Sequence, residues 1–286
     1  MTKPTRIALS ILAVIALALG GGFLGAKLAG SGGGTGGSSD VPLPGSFIEA
    51  IKSRGELRVG IAEAAPLTTM EADANGVKGG PFTLPLQNLA KQLGVKYVAV
   101  PATWSNIVAG LQAGQYDFAA YLDDTLERAT SIQFSNPVLV YQAVLVVEAD
   151  SPYNSIGDIV AAGAQIASPQ GDAANAALTA EGASLLEVGN FQEGTAALDA
   201  GRVAALSCDL GTAGGIVGAD STKKIIVPDP IYYQSASGFG VPENIDPRSL
   251  QIINIAIQDA QDDGELTAAF KAVGYREVGN LGDWQK

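Results

Sequence analysis

Residues 95–122 read VKYVAVPATWSNIVAGLQAGQYDFAAYL, and the stretch holds one complete strand–helix–strand unit. Val95 to Val100 combines β-branched and aromatic residues, the composition of a strand. Thr103 follows as a candidate N-cap. Trp104, Ile107, Val108 and Leu111 then recur at i, i+3, i+4 and i+7, which is one face of a helix. Gly114 stands where a helix end favours glycine, and Tyr116 to Leu122 is a second strand. This order makes a βαβ unit and implies parallel pairing.

The same rhythm runs outward in both directions. Upstream, Ser46 to Ser53 is helix-like, Leu57 to Ile61 is strand-like, and Leu84 to Leu93 is a helix stopped by Gly94. Downstream, Ala143 to Val147 is a strand, Ser155 caps a short helix, and Gln165 to Ala167 is a strand. An alanine-rich helix from Asp172 to Gly182 follows, then strand (Leu185 to Val188), helix (Glu193 to Ala200) and strand (Val203 to Cys208). Lys223 to Val227 closes that run. Gly238 to Val241 is a short strand. Asp246-Pro247 then supplies an N-cap and a first-turn proline, with Leu250, Ile253, Ile257 and Ala260 on one stripe; Leu266 to Val273 is the last helix. Sheets of this α/β type bind ligands beyond the carboxyl ends of their strands. Attention therefore falls on the residues after Leu122, Ala167 and Cys208.

The ends and the composition limit the function. Lys3 and Arg6 precede the uncharged run Ile7 to Leu19, the order of a secretory signal. Continued to Lys27, the run has about 20 weakly apolar residues, enough to span a bilayer. A cleaved signal peptide and a retained anchor, over residues 1–30, therefore stand side by side. Ser31 to Ser39 reads SGGGTGGSS, a flexible linker by composition, and the linker is drawn over 31–46. Of 17 basic residues, three (Lys3, Arg6 and Lys27) precede Asp40, so the remainder carries 14 basic against 29 acidic residues, a net charge of −15. Such a surface argues against nucleic acid, where phosphate attraction dominates affinity. Without histidine, Ser-His-Asp and Cys-His catalysis and His-ligated metal sites are excluded, and no metal or cofactor is expected. A single cysteine, Cys208, allows no intramolecular disulfide.

Carboxylates cluster at the expected strand ends. Asp123-Asp124-Thr125-Leu126-Glu127-Arg128 follows Leu122. Read as structure, it is a solvated loop with Thr125 or Asp124 capping a helix. Read as a site, Arg128 holds a carboxylate bidentately and Asp123 accepts from an ammonium. Asp209 ends an apolar strand, either as the cap of the next helix or as a carboxylate aimed into a cleft; left unpaired there it is costly. Asp172 opens a helix, where a cap is the simpler reading. Trp104 belongs to the core face of its helix, and Cys208 reads as a small buried hydrophobe. Tyr121, Tyr232 and Tyr233 are either aromatics that cage an ammonium beside acidic groups or, as lone tyrosines more often are, interface or core residues.

From about Gly55 to Lys286 the order of segments resembles the type 2 periplasmic solute-binding proteins of amino-acid ABC transporters. Gly55-Glu56-Leu57-Arg58-Val59-Gly60 is similar to the opening strand, and Trp104 to Asp117 to the first-lobe helix and the approach to the next strand. Thr125-Leu126-Glu127-Arg128, Phe134-Ser135-Asn136-Pro137, and Gly201-Arg202-Val203-Ala204-Ala205 with Asp209 resemble further signatures. The resemblance implies an α/β fold of two lobes, each a mainly parallel sheet flanked by helices, joined by two interlobe crossings. Lobe 1 would be 47–142 plus 237–286, and lobe 2 would be 143–236. It implies a monomer outside the cytoplasm, in the periplasm or on the outer face of the cytoplasmic membrane. There it would close on a small polar solute, an amino acid or cationic compound, and present it to a membrane permease. Arg128 would take the ligand's carboxylate and Asp209 its ammonium.

The chain departs from that pattern at the site. Tyr121 and Asp123 replace small or hydroxylated residues, Asp172 replaces a threonine, Phe82 and Leu84 replace acids, and Val138 replaces an aromatic. If Asp123, Asp172 and Asp209 face one cleft, the pocket suits a cationic or multiply hydrogen-bonding solute. Two other readings share the scaffold. One is an enzyme resembling cyclohexadienyl dehydratases, with one clustered carboxyl kept protonated. The other is a membrane-tethered sensory ectodomain.

Overall fold

The computed structural model describes residues 45–275. The expected signal or anchor lies outside the described residues, as do residues 276–286 and the linker up to residue 44. No helix among the described residues is long and apolar enough to cross a membrane.

The chain opens with α1 (Ser46–Arg54), β1 (Glu56–Ala62), α2 (Leu84–Leu93), β2 (Lys96–Ala102), α3 (Ile107–Gln112) and β3 (Phe118–Asp123). Then come α4 (Leu126–Ala129), β4 (Ile132–Phe134) and a long β5 (Leu139–Glu148). The middle run is α5 (Ile156–Ala161), β6 (Gln165–Pro169), α6 (Asn175–Ala180), β7 (Ser184–Val188), α7 (Phe191–Asp199), β8 (Ala205–Asp209), α8 (Leu210–Ala219) and β9 (Lys223–Ile226). The return is β10 (Gln234–Pro242), α9 (Pro247–Asp262) and α10 (Glu265–Ala272). Local chemistry sets many of these limits. Gly94 ends α2 in the left-handed conformation, with φ of 69°. The side chains of Ser155, Asn190 and Asp246 accept amide bonds at the starts of α5, α7 and α9.

The βα repeats pair in parallel: β1 lies between β2 and β3, and β6 between β7 and β8. Two further strands run antiparallel and tie these groups together. Strand β10 pairs with β3, β4 and β5, while β5 pairs with β10, β8 and β9. Within β5 the partner changes between two adjacent residues: Gln142 faces Gln234 of β10, and Ala143 faces Asp209 of β8. The sheet is therefore curled into two halves, the architecture of a two-lobed α/β protein. One buried cluster runs through both halves, from Leu57 and Phe82 to Val146 and Leu206, with a smaller one in each, and a fully buried Leu or Ile contributes roughly 1.5–3 kcal/mol. The halves also touch. Gly211 packs beneath Leu67, and Gly215 beneath Pro66, so close that an added Cβ would lie 2.7 Å and 2.9 Å from those side chains.

Several elements differ from the sequence expectation: β5, expected over Ala143 to Val147, spans Leu139–Glu148, and β4 was not expected. Helix α3 begins at Ile107, with Asn106 and not Thr103 at its N-cap. The Asn106 side chain accepts from the Thr103 amide at 2.9 Å, a local bond that holds residues 103–106 as a turn. Helix α6 starts at Asn175, because the Asp172 side chain folds the chain before it, accepting from the Ala174 amide at 2.8 Å. Strand β10 is longer than Gly238 to Val241, since it has partners on both sides along its course.

Candidate ligand-binding cleft

Six strand ends, those of β1, β2, β3, β6, β7 and β8, and one crossing strand, β5, converge where the two halves meet. The cavity there is small and is lined by Ala64, Trp104, Tyr121, Asp123, Arg128, Tyr141, Asp172, Ala173, Phe191 and Asp209. All five residues singled out from the sequence, Arg128, Asp209, Asp123, Asp172 and Tyr121, stand on this one wall.

Each arrives by a different route. Asp123 ends β3 and is buried, with the Ser237 hydroxyl bonded to Oδ1 and the Tyr233 hydroxyl donating to Oδ2 at 3.1 Å. Arg128 lies on the short helix α4, whose cap is Thr125, one of the two residues the sequence left open for it. Its guanidinium donates to the carbonyl of Asp123 at 3.2 Å and to that of Gly171, in the other half, at 3.1 Å. Among the described residues, no carboxylate lies within ion-pair distance of it. Arg128 thus keeps donor capacity for a carboxylate brought from outside.

Asp209 satisfies both sequence readings at once. Its Oδ1 caps α8 by accepting from the Thr212 amide at 2.9 Å. Its Oδ2 is buried and finds no hydrogen-bond partner of good geometry among the described residues, although the Tyr121 hydroxyl is close enough to favour its ionised form. Asp172 likewise accepts from Ala174 and still faces the cavity. Two more buried polar atoms on the wall, Trp104 Nε1 and the Tyr141 hydroxyl, also lack partners. Buried polar groups are normally satisfied, so unpartnered donors and acceptors on one wall are what a polar solute would complete.

The electrostatics follow from burial. Burial raises Asp123 to about 6; Ser237, Arg128 and Tyr233 oppose the rise and Asp209 adds to it. Burial raises Asp172 to about 7, the Ala174 amide and Arg128 opposing and the charges of Asp123 and Asp209 adding. Asp209 is raised as well, chiefly by burial, with Thr212, the Tyr121 hydroxyl and the Gly211 amide working against it. Three carboxylates in one confined space make each other harder to ionise. Near neutral pH, the cleft is set to gain from an added positive charge. Among the described residues no cluster of three or more His, Cys, Asp or Glu is arranged to hold a metal ion.

Trp104 corrects the sequence reading. It precedes α3 on the 103–106 turn and lines the cleft, where it meets Tyr121 and Phe191 edge-on with ring centroids 6.2 Å and 6.4 Å apart. Phe191, Tyr141 and Ala64 are cleft residues that the sequence reading passed over. Ala64, Trp104 and Phe191 follow the carboxyl ends of β1, β2 and β7. The strand-end rule, applied to every strand and not to three, would have found them. Tyr141 sits inside β5, and no spacing signals it. Tyr232 bonds Ser207 at 2.9 Å, while Cys208 is fully buried and free.

Two α/β halves joined by two antiparallel strands, with polar groups gathered at the seam, define the two-lobed binding proteins of the periplasmic type. Within that class, the chain belongs to the bacterial extracellular solute-binding proteins, family 3, which it matches over residues 57–272. It functions outside the cytoplasm, as that family does. No curated protein matches the chain in sequence. Solved structures share the fold. An amino acid ABC transporter substrate-binding protein from Streptococcus pneumoniae, bound to L-arginine, is 22% identical with a TM-score of 0.72, over 81% of this chain and 99% of that one. A solute receptor for L-cysteine from Neisseria gonorrhoeae is 23% identical with a TM-score of 0.70, over 79% and 92%. An ancestral amino acid-binding protein, a precursor of cyclohexadienyl dehydratase, is 25% identical with a TM-score of 0.69, over 84% and 100%.

Proposed function

We propose that this protein captures an amino acid, or a related ammonium-bearing solute, between its lobes and delivers it to the permease of an ABC transporter. One observation carries the reading: Arg128, with no carboxylate at ion-pair distance among the described residues, and the Oδ2 of Asp209, with no well-formed hydrogen bond among them, line the same cavity. A guanidinium and a buried carboxylate on one wall match the two charged ends of an α-amino acid. The amino-acid binding proteins that share the fold support this assignment. Lobe 1 is assigned to 47–142 with 237–286 and lobe 2 to 143–236, in keeping with the change of partner at Gln142 and Ala143. The ligand acts by binding the closed arrangement better than the open one. The protein works as a monomer, attached to the membrane by its N-terminal segment wherever that segment is retained.

The carboxylates favour a positively charged solute within this class. Asp123, Asp172 and Asp209 face a single guanidinium in the cavity. Calorimetric titration with basic, neutral and acidic amino acids and with diamines tests both levels. Basic or neutral amino acids are expected to bind best; a preference for acidic amino acids would sink the charge assignment, and binding by none of them would sink the amino-acid reading.

A further inference from the structure

We propose that Tyr121 sets the length of ligand the cleft accepts, so that the solute is an amino acid with a short side chain. The inference rests on the amino-acid reading of the same cavity and adds a limit to it. Tyr121 is the only non-glycine among the described residues with a left-handed backbone, at φ 59°. That conformation is unfavourable for a bulky residue and persists only where its surroundings impose it. Here the cause is visible in the register. Gly238 of β10 faces Leu122, but Gly240 faces Ala119, so β3 carries one extra residue opposite β10. The extra residue is a bulge, the device by which a strand re-aims a side chain. It places the Tyr121 ring in the cleft wall, 3% exposed, among Phe82 (4.9 Å between centroids), Tyr141 (6.1 Å) and Trp104 (6.2 Å).

The ring stands beside the groups assigned to the ligand's two charged ends. With Arg128 and Asp209 engaged by carboxylate and ammonium, the rest of the wall is four aromatic rings, the carboxyls of Asp123 and Asp172, and two alanines. The rings of Tyr121, Trp104 and Tyr141 close around the charged groups and leave little free space between them. A long side chain must displace a ring. Trp104 and Tyr141 are placed by an ordinary turn and an ordinary strand, whereas Tyr121 is held by a backbone conformation that only glycine adopts freely. Glycine at 121 would therefore keep the bulge while removing the ring.

The test compares ligands of equal charge and unequal length on the full chain and on two variants, by calorimetry. Alanine is paired with norleucine, and 2,4-diaminobutyrate with lysine. The full chain is expected to bind the shorter member of each pair at least tenfold more tightly. Tyr121→Gly is expected to reduce that ratio at least tenfold, and Tyr121→Phe, which keeps the ring, to preserve it. Equal affinity within both pairs, or a ratio unchanged in Tyr121→Gly, overturns the length limit and leaves the amino-acid reading standing. No binding by any of the four ligands to any of the proteins overturns both.

Discussion

Asp209 uses its two oxygens for different purposes, and the difference is measurable. Oδ1 caps α8 through Thr212, while Oδ2 is left to the cleft. Asparagine caps helices about as well as aspartate, so Asp209→Asn should keep the fold and lose the charge. Ligand affinity is expected to fall by about 1.5–3 kcal/mol, the worth of a hydrogen bond to a charged group, with a ligand-free melting temperature no lower than before, since a carboxylate that burial makes hard to ionise is removed. Asp209→Ala should add a loss of about 1 kcal/mol in stability from the missing cap. Arg128→Ala should weaken binding by at least as much as Asp209→Asn, because it removes the ligand's anchor and the bond to Gly171 together. Normal binding by both variants in calorimetry would show that the ligand sits elsewhere. Residue identity carried much of this. The carboxylates and the guanidinium were legible because charged side chains beside apolar strands have few explanations. The direction of Tyr121 was not legible, because β3 is buried along its whole length and shows no alternation to break. Only the register with β10 reveals the bulge.

At the scale of elements, two turns govern how parts are joined. Gly171 has φ of 85° and lies against the backbone of the 104–105 turn, where an added Cβ would be 2.8 Å from the Trp104 carbonyl oxygen. These segments belong to opposite halves, and backbone cannot yield as a flexible side chain does. Gly171→Ala should therefore disfavour the closed arrangement and speed ligand release at least tenfold, with folding retained. Stopped-flow dissociation of bound ligand reads this; an unchanged off-rate would mean that the contact does not hold the cleft shut. The second turn is at Asp246. Its side chain caps α9 through Ser249 and also accepts from the Phe47 amide at 3.1 Å and from the Gly45 amide, so it serves the start of α1 as well. Asp246→Ala should cost about 2–3 kcal/mol, one helix cap plus buried amides left without a partner. Urea unfolding with an unchanged m-value checks it. Asp246-Pro247 was readable as a helix start. Its second task was not, because the residues it serves lie about two hundred positions earlier in the chain. Helix α3 was misplaced for the opposite reason: the bond from Asn106 to Thr103 is short-range but competes with a valid helical pattern.

For the whole molecule, the cleft carboxylates couple binding, stability and pH. Asp123 and Asp172 stand at about 6 and about 7 in the folded protein, against about 3.9 for an aspartate in an unfolded chain. Between those limits the folded protein holds protons that the unfolded chain has released. Stability from these groups therefore falls as pH rises from about 4 to about 7. Asp246 acts with the opposite sign in a separate window. Burial raises it, but the donors Ser249, Gly45 and Phe47 together bring it below the usual carboxylate range. Its contribution is present above about pH 4 and is lost as pH falls further. The groups facing the two raised carboxylates are Asp209, which adds to the effect, and Arg128, which opposes it. A ligand ammonium in the cleft favours the ionised carboxylates, so cation binding should release protons and strengthen as pH rises through 6 to 7. Thermal melts between pH 5 and 8 should show the ligand-free midpoint falling with rising pH, while the gain on adding a basic amino acid grows over the same range. In an Asp123→Asn, Asp172→Asn double variant both trends should flatten. A ligand-induced gain that stays constant across that pH range in the unaltered protein would mean that these carboxylates do not meet the bound solute.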